Sequence, residues 1–197
     1  MTTLRNTTPP GLPVAPSEYQ QRYQDQFANV LRLYFNSISN AINAPKPFGV
    51  FYDTTTQTNP VANTANAITF DRENGNYAVT RGVPTSKIYV SETGVYNVQF
   101  SVQLDKTNAN SAPVYIWLRV NGQDSPHTAS KVIIAGSDAE LIPAWNFMIT
   151  LKAGDYVQLI WSSSSTNVVL AAFAASSPVP AIPSIILSIN WISGVPV

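Results

Sequence analysis

The chain has 197 residues, 45% hydrophobic and only 11% charged, and its eleven basic and eleven acidic side chains cancel to a formal net charge of zero. That balance argues against a nucleic-acid binder relying on phosphate neutralisation, and the absence of cysteine excludes disulfides, thiolate metal sites and a thiol nucleophile. A charge content so far below the usual quarter or so points to surface hidden in an assembly.

The length suits one domain, or one domain with an appendage. Met1 opens a polar, Pro-rich stretch with no apolar signal-peptide core. The chain has no uninterrupted apolar run of 18 residues, so no membrane span is expected. Residues 1–16 cannot form a helix or a central strand. Pro9, Pro10, Pro13 and Pro16 fix φ and remove donors, favouring an extended arm, on which Leu4, Leu12 and Val14 are isolated apolar teeth. Such a segment is either a disordered tail or a docking arm that orders on a partner.

A helix is predicted over residues 17–43, with Ser17 and Gln20 as a capping box. Tyr19, Tyr23, Phe27, Val30, Tyr34, Ile38 and Ala41 recur at spacings of 4, 4, 3, 4, 4 and 3, an eleven-residue repeat that favours a nearly straight or slightly right-handed bundle. Leu31, Phe35 and Ile42 form a parallel row. No charge falls between Arg32 and Lys46, so the second half is not a solvated helix. It either folds onto the following domain, self-associates, or docks on a scaffold. Residues 44–47, Ala-Pro-Lys-Pro, form a short stiff linker.

From Phe48 onward the pattern is strands and turns. Residues 48–52, 67–70, 77–80 and 86–90 read as short strands, with a polar loop over 54–66 and a turn over 71–76. Tyr96, Val98, Phe100, Val102 and Leu104 alternate cleanly with polar residues. Residues 114–121 form a strand closed by Asn121-Gly122, the strongest hairpin signal in the chain, and 131–135 form another. Residues 144–161 read as a hairpin. Trp145, Phe147, Ile149 and Leu151 lie on one arm, Val157, Leu159 and Trp161 on the other, with the turn at Lys152–Asp155. Residues 168–174 and 185–192 complete the series. Strands spaced at about ten residues specify an all-β sandwich or barrel. No charged residue follows Asp155, and the last strand is apolar on both faces. In an antiparallel sandwich the outer of those faces needs a partner, here taken as a second copy of the chain.

Chemistry-bearing constellations are sparse. His127 is the sole histidine, and no nucleophile elbow or phosphate-binding loop accompanies it. Asp71 and Glu73 read either as a solvated turn pair or as ligands for calcium. A glycosidase needs paired carboxylates, yet the acids sit mostly in turns and none follows Asp155. No enzyme, cofactor or metal is therefore expected. Trp117, Trp145, Trp161 and Trp191 fall in predicted strands, as packing residues or as a sugar-stacking platform.

Three segments resemble the complement globular-head and tumour-necrosis-factor superfamily. Glu92–Phe100 resembles its G-x-Y-x-F strand, Val114–Gly122 its strand ending in Asn-Gly, and Leu151–Leu159 its L-x-x-G-D-x-V-x-L element. Their order and spacing match over about residues 48–193. The resemblance implies a ten-strand jelly-roll sandwich forming a homotrimer about an apolar axis, without the collagen-like stalk common in complement-type proteins. Tyr96, Phe100, Trp117, Trp145, Phe147, Leu159, Trp161, Leu187 and Trp191 are then residues of the knob core or trimer interface. The N-terminal segment is similar to the leader of structural proteins of marine tailed phages, notably cyanophages. That similarity is carried by Leu12–Pro16, Tyr19, Arg22-Tyr23, Asp25-Gln26 and Asn29–Asn36. Together these imply a virion protein, a head decoration, head fibre or tail-associated knob. Leu4, Pro9, Pro10, Leu12, Pro13, Val14 and Pro16 would form its anchoring arm, and Tyr19, Tyr23, Phe27, Val30, Leu31, Tyr34 and Ile38 a helix interface with other virion proteins. The alternative is a module that binds a host receptor or glycan through its distal loops.

Overall fold

The computed structural model describes residues 9–194, in two compact units, Met1–Pro45 and Lys46–Val197. In the first, residues 9–20 carry no regular structure and α1 spans Gln21–Asn43. The expected capping box does not form. Gln20 is the N-cap, extended at φ −129° and ψ 119°, and makes no side-chain cap. Its carbonyl accepts from Tyr23 N at 3.0 Å and Gln24 N at 3.2 Å, which sets the start of the helix four residues after Ser17. The helix then lacks both a cap and a buried residue. Helices in proteins draw most of their stability from packing an amphipathic face, and α1 buries none of its own.

The second unit is all strand and turn. In chain order its strands are β1 (Phe48–Asp53), β2 (Gln57–Thr58), β3 (Asn66–Ala67), β4 (Arg72–Tyr77), β5 (Val79–Arg81), β6 (Ile88–Val90), β7 (Gly94–Val102) and β8 (Leu104–Lys106). There follow β9 (Ala112–Val120), β10 (Gln123–Asp124), β11 (Ser130–Ile134), β12 (Ala139–Leu141), β13 (Ala144–Leu151), β14 (Tyr156–Ser163), β15 (Val168–Leu170) and β16 (Ile185–Ser193). The first sheet runs β13-β7-β16-β1-β4 and the second β11-β9-β14-β6-β5, with β10 sharing the edge of β9 and β3 joining β14. Every pairing is antiparallel. Two five-strand layers, with the first and last long strands side by side in one of them, make a ten-strand jelly roll. A four-strand sheet, β12-β8-β15-β2, continues from β7.

The alternation of β7 places Tyr96, Val98, Phe100 and Val102 in the core, where Leu159, Trp161 and Leu187 join them. Burial of such side chains stabilises by about 1.5–3 kcal/mol each. Asn121 (φ 49°) and Gly122 (φ 83°) form the turn from β9 to β10, the left-handed pair that Asn-Gly supplies at low cost.

Two further sequence expectations are corrected. Residues 144–161 are not a hairpin, because β13 pairs with β7 in the first sheet and β14 with β9 in the second. The turn crosses from sheet to sheet. Gly154 N donates to the Val90 carbonyl at 2.8 Å, and Val90 N to the Asp155 carbonyl at 3.0 Å. Both arms present their apolar rows to one core from opposite sides, and alternation specifies the buried face without specifying the neighbouring strand. Residues 71–76 hold an edge strand, β4, in place of most of the expected turn. All six residues of β4 are exposed, and a charged edge that discourages further pairing tolerates turn-like residues.

Candidate functional site

The register of the first sheet assembles its outer face as three rungs. Tyr52, Ile186, Ser101 and Ala144 lie side by side, then Val50, Ser188, Gln99 and Asn146, then Phe48, Asn190, Asn97 and Met148. None of these twelve side chains carries a carboxylate, ammonium or guanidinium. Met148 is 63% exposed, Ile186 43% and Phe48 40%, while Asn146 donates to Asn97 Oδ1 at 3.2 Å. Charge returns only at β4, where Arg72 stands beside Tyr52. A face of amides and large apolar groups across four strands is unlike a solvated surface and resembles an interface core depleted of ions.

At the free edge of the same sheet the core is uncovered. Trp145, Phe147 and Ile149, on the inward face of β13, stand beside Phe100, Val98 and Tyr96 of β7, but are only half-buried. Phe100 meets Trp145 edge-on at 4.6 Å between centroids and stacks with Phe147 at 6.0 Å. Trp145 Nε1 is buried and has no acceptor among the described residues. An orphaned buried donor costs about 1–3 kcal/mol, so a further group that accepts from it would be a stabilising contact.

The remaining aromatic residues separate by role. Trp161 is 1% exposed and Tyr96 fully buried, its hydroxyl donating to the Glu92 carbonyl at 2.7 Å. Burial pushes the Tyr96 phenol up to about 12, with the Glu92 carboxylate adding to the effect. Trp191 is half-buried at the margin of the core, and its indole N–H points to the Thr93 carbonyl at 3.5 Å. Lys46 Nζ lies 5.2 Å from its ring centre. Trp117, expected in the core or the trimer interface, belongs to neither the core nor the first sheet. It lies half-buried on the outer face of the second sheet, because its neighbours Ile116 and Leu118 take the inward positions of β9. Its Nε1 donates to Asp124 Oδ1 at 2.8 Å, as does Arg119 Nε at 2.8 Å. Those two hydrogen bonds, the one from Arg119 first, hold the Asp124 carboxyl below its ordinary value. Tyr115, on the same face, is 38% exposed, with Lys131 Nζ 5.8 Å from its ring centre.

In the first unit, Tyr23, Phe27, Val30, Leu31, Tyr34 and Ile38 are all half-buried, and Tyr19 precedes the helix, 80% exposed. The Tyr23 hydroxyl donates to the Pro13 carbonyl at 3.4 Å. Pro9, Pro10, Leu12, Pro13, Val14 and Pro16 lie in the stretch without regular structure, Val14 at 93% exposure, and Leu4 lies outside the described residues.

Asp71 and Glu73 are occupied by their own chain. Asp71 accepts from Thr54 N at 2.9 Å and Thr54 Oγ1 at 2.5 Å. Burial pulls its carboxyl up, but the Thr54 hydrogen bonds and Arg72 outweigh that and lower it. Glu73 pairs with Arg81 Nε at 3.3 Å. His127 is an exposed loop residue at φ 63°. Two buried residues of ionisable type, among the eight buried polar residues described, were not anticipated. Lys106, fully buried, donates through Nζ to the carbonyls of Asn108 and Gly136. Asp53, 2% exposed, accepts from Thr55 N at 2.9 Å and Thr69 Oγ1 at 3.1 Å.

No family model matches the chain, and no curated protein matches it. Solved structures do. The chain is similar to the globular domain of zebrafish complement 1qA protein, with a TM-score of 0.47 and 12% identity, covering 76% of this chain and 99% of that one. It is also similar to murine APRIL, with a TM-score of 0.48 and 12% identity, covering 75% of this chain and all of that one.

Proposed function

We propose that the chain is a non-enzymatic structural subunit of a virion, a jelly-roll knob that assembles as a homotrimer and is anchored by its N-terminal arm and helix. The observation that carries the assembly is the ion-free outer face of the first sheet, continued at its edge by the Phe100–Trp145–Phe147 cluster and its orphaned indole N–H. The virion setting rests on the resemblance of the first 45 residues or so to tailed-phage leaders. Light scattering should return three times the chain mass of 21.4 kDa. Ile186→Asp should reduce the mass to that of a single chain without unfolding it, since the side chain is 43% exposed. A wild-type monomer at micromolar concentration would refute the assembly. Deleting residues 1–16 should leave the assembly folded and abolish its incorporation into particles.

A second reading, recognition of a host glycan, is favoured by the Tyr115–Trp117 row with its Asp124–Arg119 rim. Aromatic rings with fixed edges and flanking hydrogen-bonding groups suit sugar stacking. Trp117→Ala should abolish binding on a glycan array while leaving the assembled mass unchanged.

A further inference from the structure

The stripe of α1 and its second row, Leu31, Phe35 and Ile42, together span an arc of about 140° at 100° per residue. Gln24 is the one polar side chain inside that arc. The helix's three charges, Arg22, Asp25 and Arg32, all lie on the opposite side. No residue of the helix is buried, and Phe35 and Ile42 are 61% and 73% exposed.

We propose that this arc is occupied by the same helix from two further copies of the chain, in a parallel three-helix bundle. The inference rests on the trimer reading above and gives the helix a place in the assembly itself, so that the arm and helix anchor the subunit as a bundle of three. Four observations carry it. The arc is wider than the narrow seam of a two-stranded coil, so each helix has apolar surface for two neighbours. The eleven-residue repeat keeps that surface on one side of a nearly straight helix over its whole length. Parallel identical helices bring like residues to one level, where equal charges repel, and the arc carries none. The Tyr23 hydroxyl already donates to its own chain's Pro13 carbonyl, so that ring can be covered without orphaning its donor. The short Pro-bounded linker at 44–47 suits a parallel arrangement, because it ties each helix end to a unit that itself associates.

The chain contains no cysteine, so single substitutions give an unambiguous test. In the full-length protein, Ile38→Cys lies in the arc and Asn36→Cys on the opposite, exposed side. Under mild oxidation with oxidised glutathione, Ile38→Cys should form disulfide-linked pairs at least about tenfold faster than Asn36→Cys. Thiols held in a seam meet at the millimolar effective concentration of a tethered pair and within the Cα separation a disulfide spans. Equal rates, or faster linkage at position 36, would overturn the bundle. If equal rates accompany a trimeric mass, the helix inference falls alone and the sheet-face assembly stands. If the mass is that of one chain, both fall.

Discussion

At the scale of single residues, alternation reports correctly where it is regular. Tyr96 and Phe100 were legible as one inward row because they sit in an unbroken period of two, whereas Leu159, Trp161 and Leu187 stand beside apolar neighbours and were legible only as core or interface residues. Lys106 was not, since a lysine beside a polar loop reads as solvated. Nothing in its local sequence reveals that Asn108 and Gly136 turn their carbonyls toward it. Asp53 left a fainter signal, the Asp-x-Thr spacing of a turn in which the carboxylate accepts from the residue two on. Tyr96 gives this scale its pH dependence. Its phenol titrates near 12 when folded, against an ordinary 10.0, so its contribution is complete below pH 10 and is lost as the pH rises toward 12. Tyr96→Phe should cost about 1 kcal/mol at neutral pH. It should also flatten the alkaline fall in unfolding free energy, followed by urea titration at successive pH values. An unchanged alkaline limb would remove Tyr96 as its source.

At the scale of elements, strand existence was more legible than strand partnership. The two arms around Lys152–Asp155 were visible, but their membership of different sheets was not, because both patterns are satisfied equally by a hairpin and by an arch over a core. The edge strand β4 left little signal, since an exposed strand of polar residues has no apolar face to report, and β12, three residues long, is too short for its half-buried Ala139 and Leu141 to show a period. The helix was read from its repeat, and its start was misplaced because a capping motif competes with whatever conformation follows Pro16. One junction makes a sharp prediction. A Cβ on Gly94 would lie 2.1 Å from Trp191 Nε1 and 2.7 Å from the Ser193 carbonyl, where β7 meets the irregular end of β16. Gly94→Ala should therefore displace the Trp191 ring and cost about 2 kcal/mol. Chemical denaturation and a shift in tryptophan emission would read the two effects, and an unperturbed variant would show that the end of β16 yields freely.

At the scale of the whole molecule, the scarcity of ionised groups has the widest reach. The sequence showed it as a charge-free C-terminal run, and the structure distributes it into an ion-free sheet face. The candidate surface was thus legible in outline from composition, while its rungs depended on a strand order that composition does not encode. Only three ion pairs occur among the described residues, and exposed pairs of that kind contribute little. Lys106, fully buried, is held by the carbonyls of Asn108 and Gly136 inside the protein, beyond the reach of mobile ions. Adding salt therefore has few attractions to weaken. The unfolding midpoint should stay within a few degrees between dilute buffer and molar sodium chloride, as followed by calorimetry. A protein built this way would meet fresh water and brine with the same folded form.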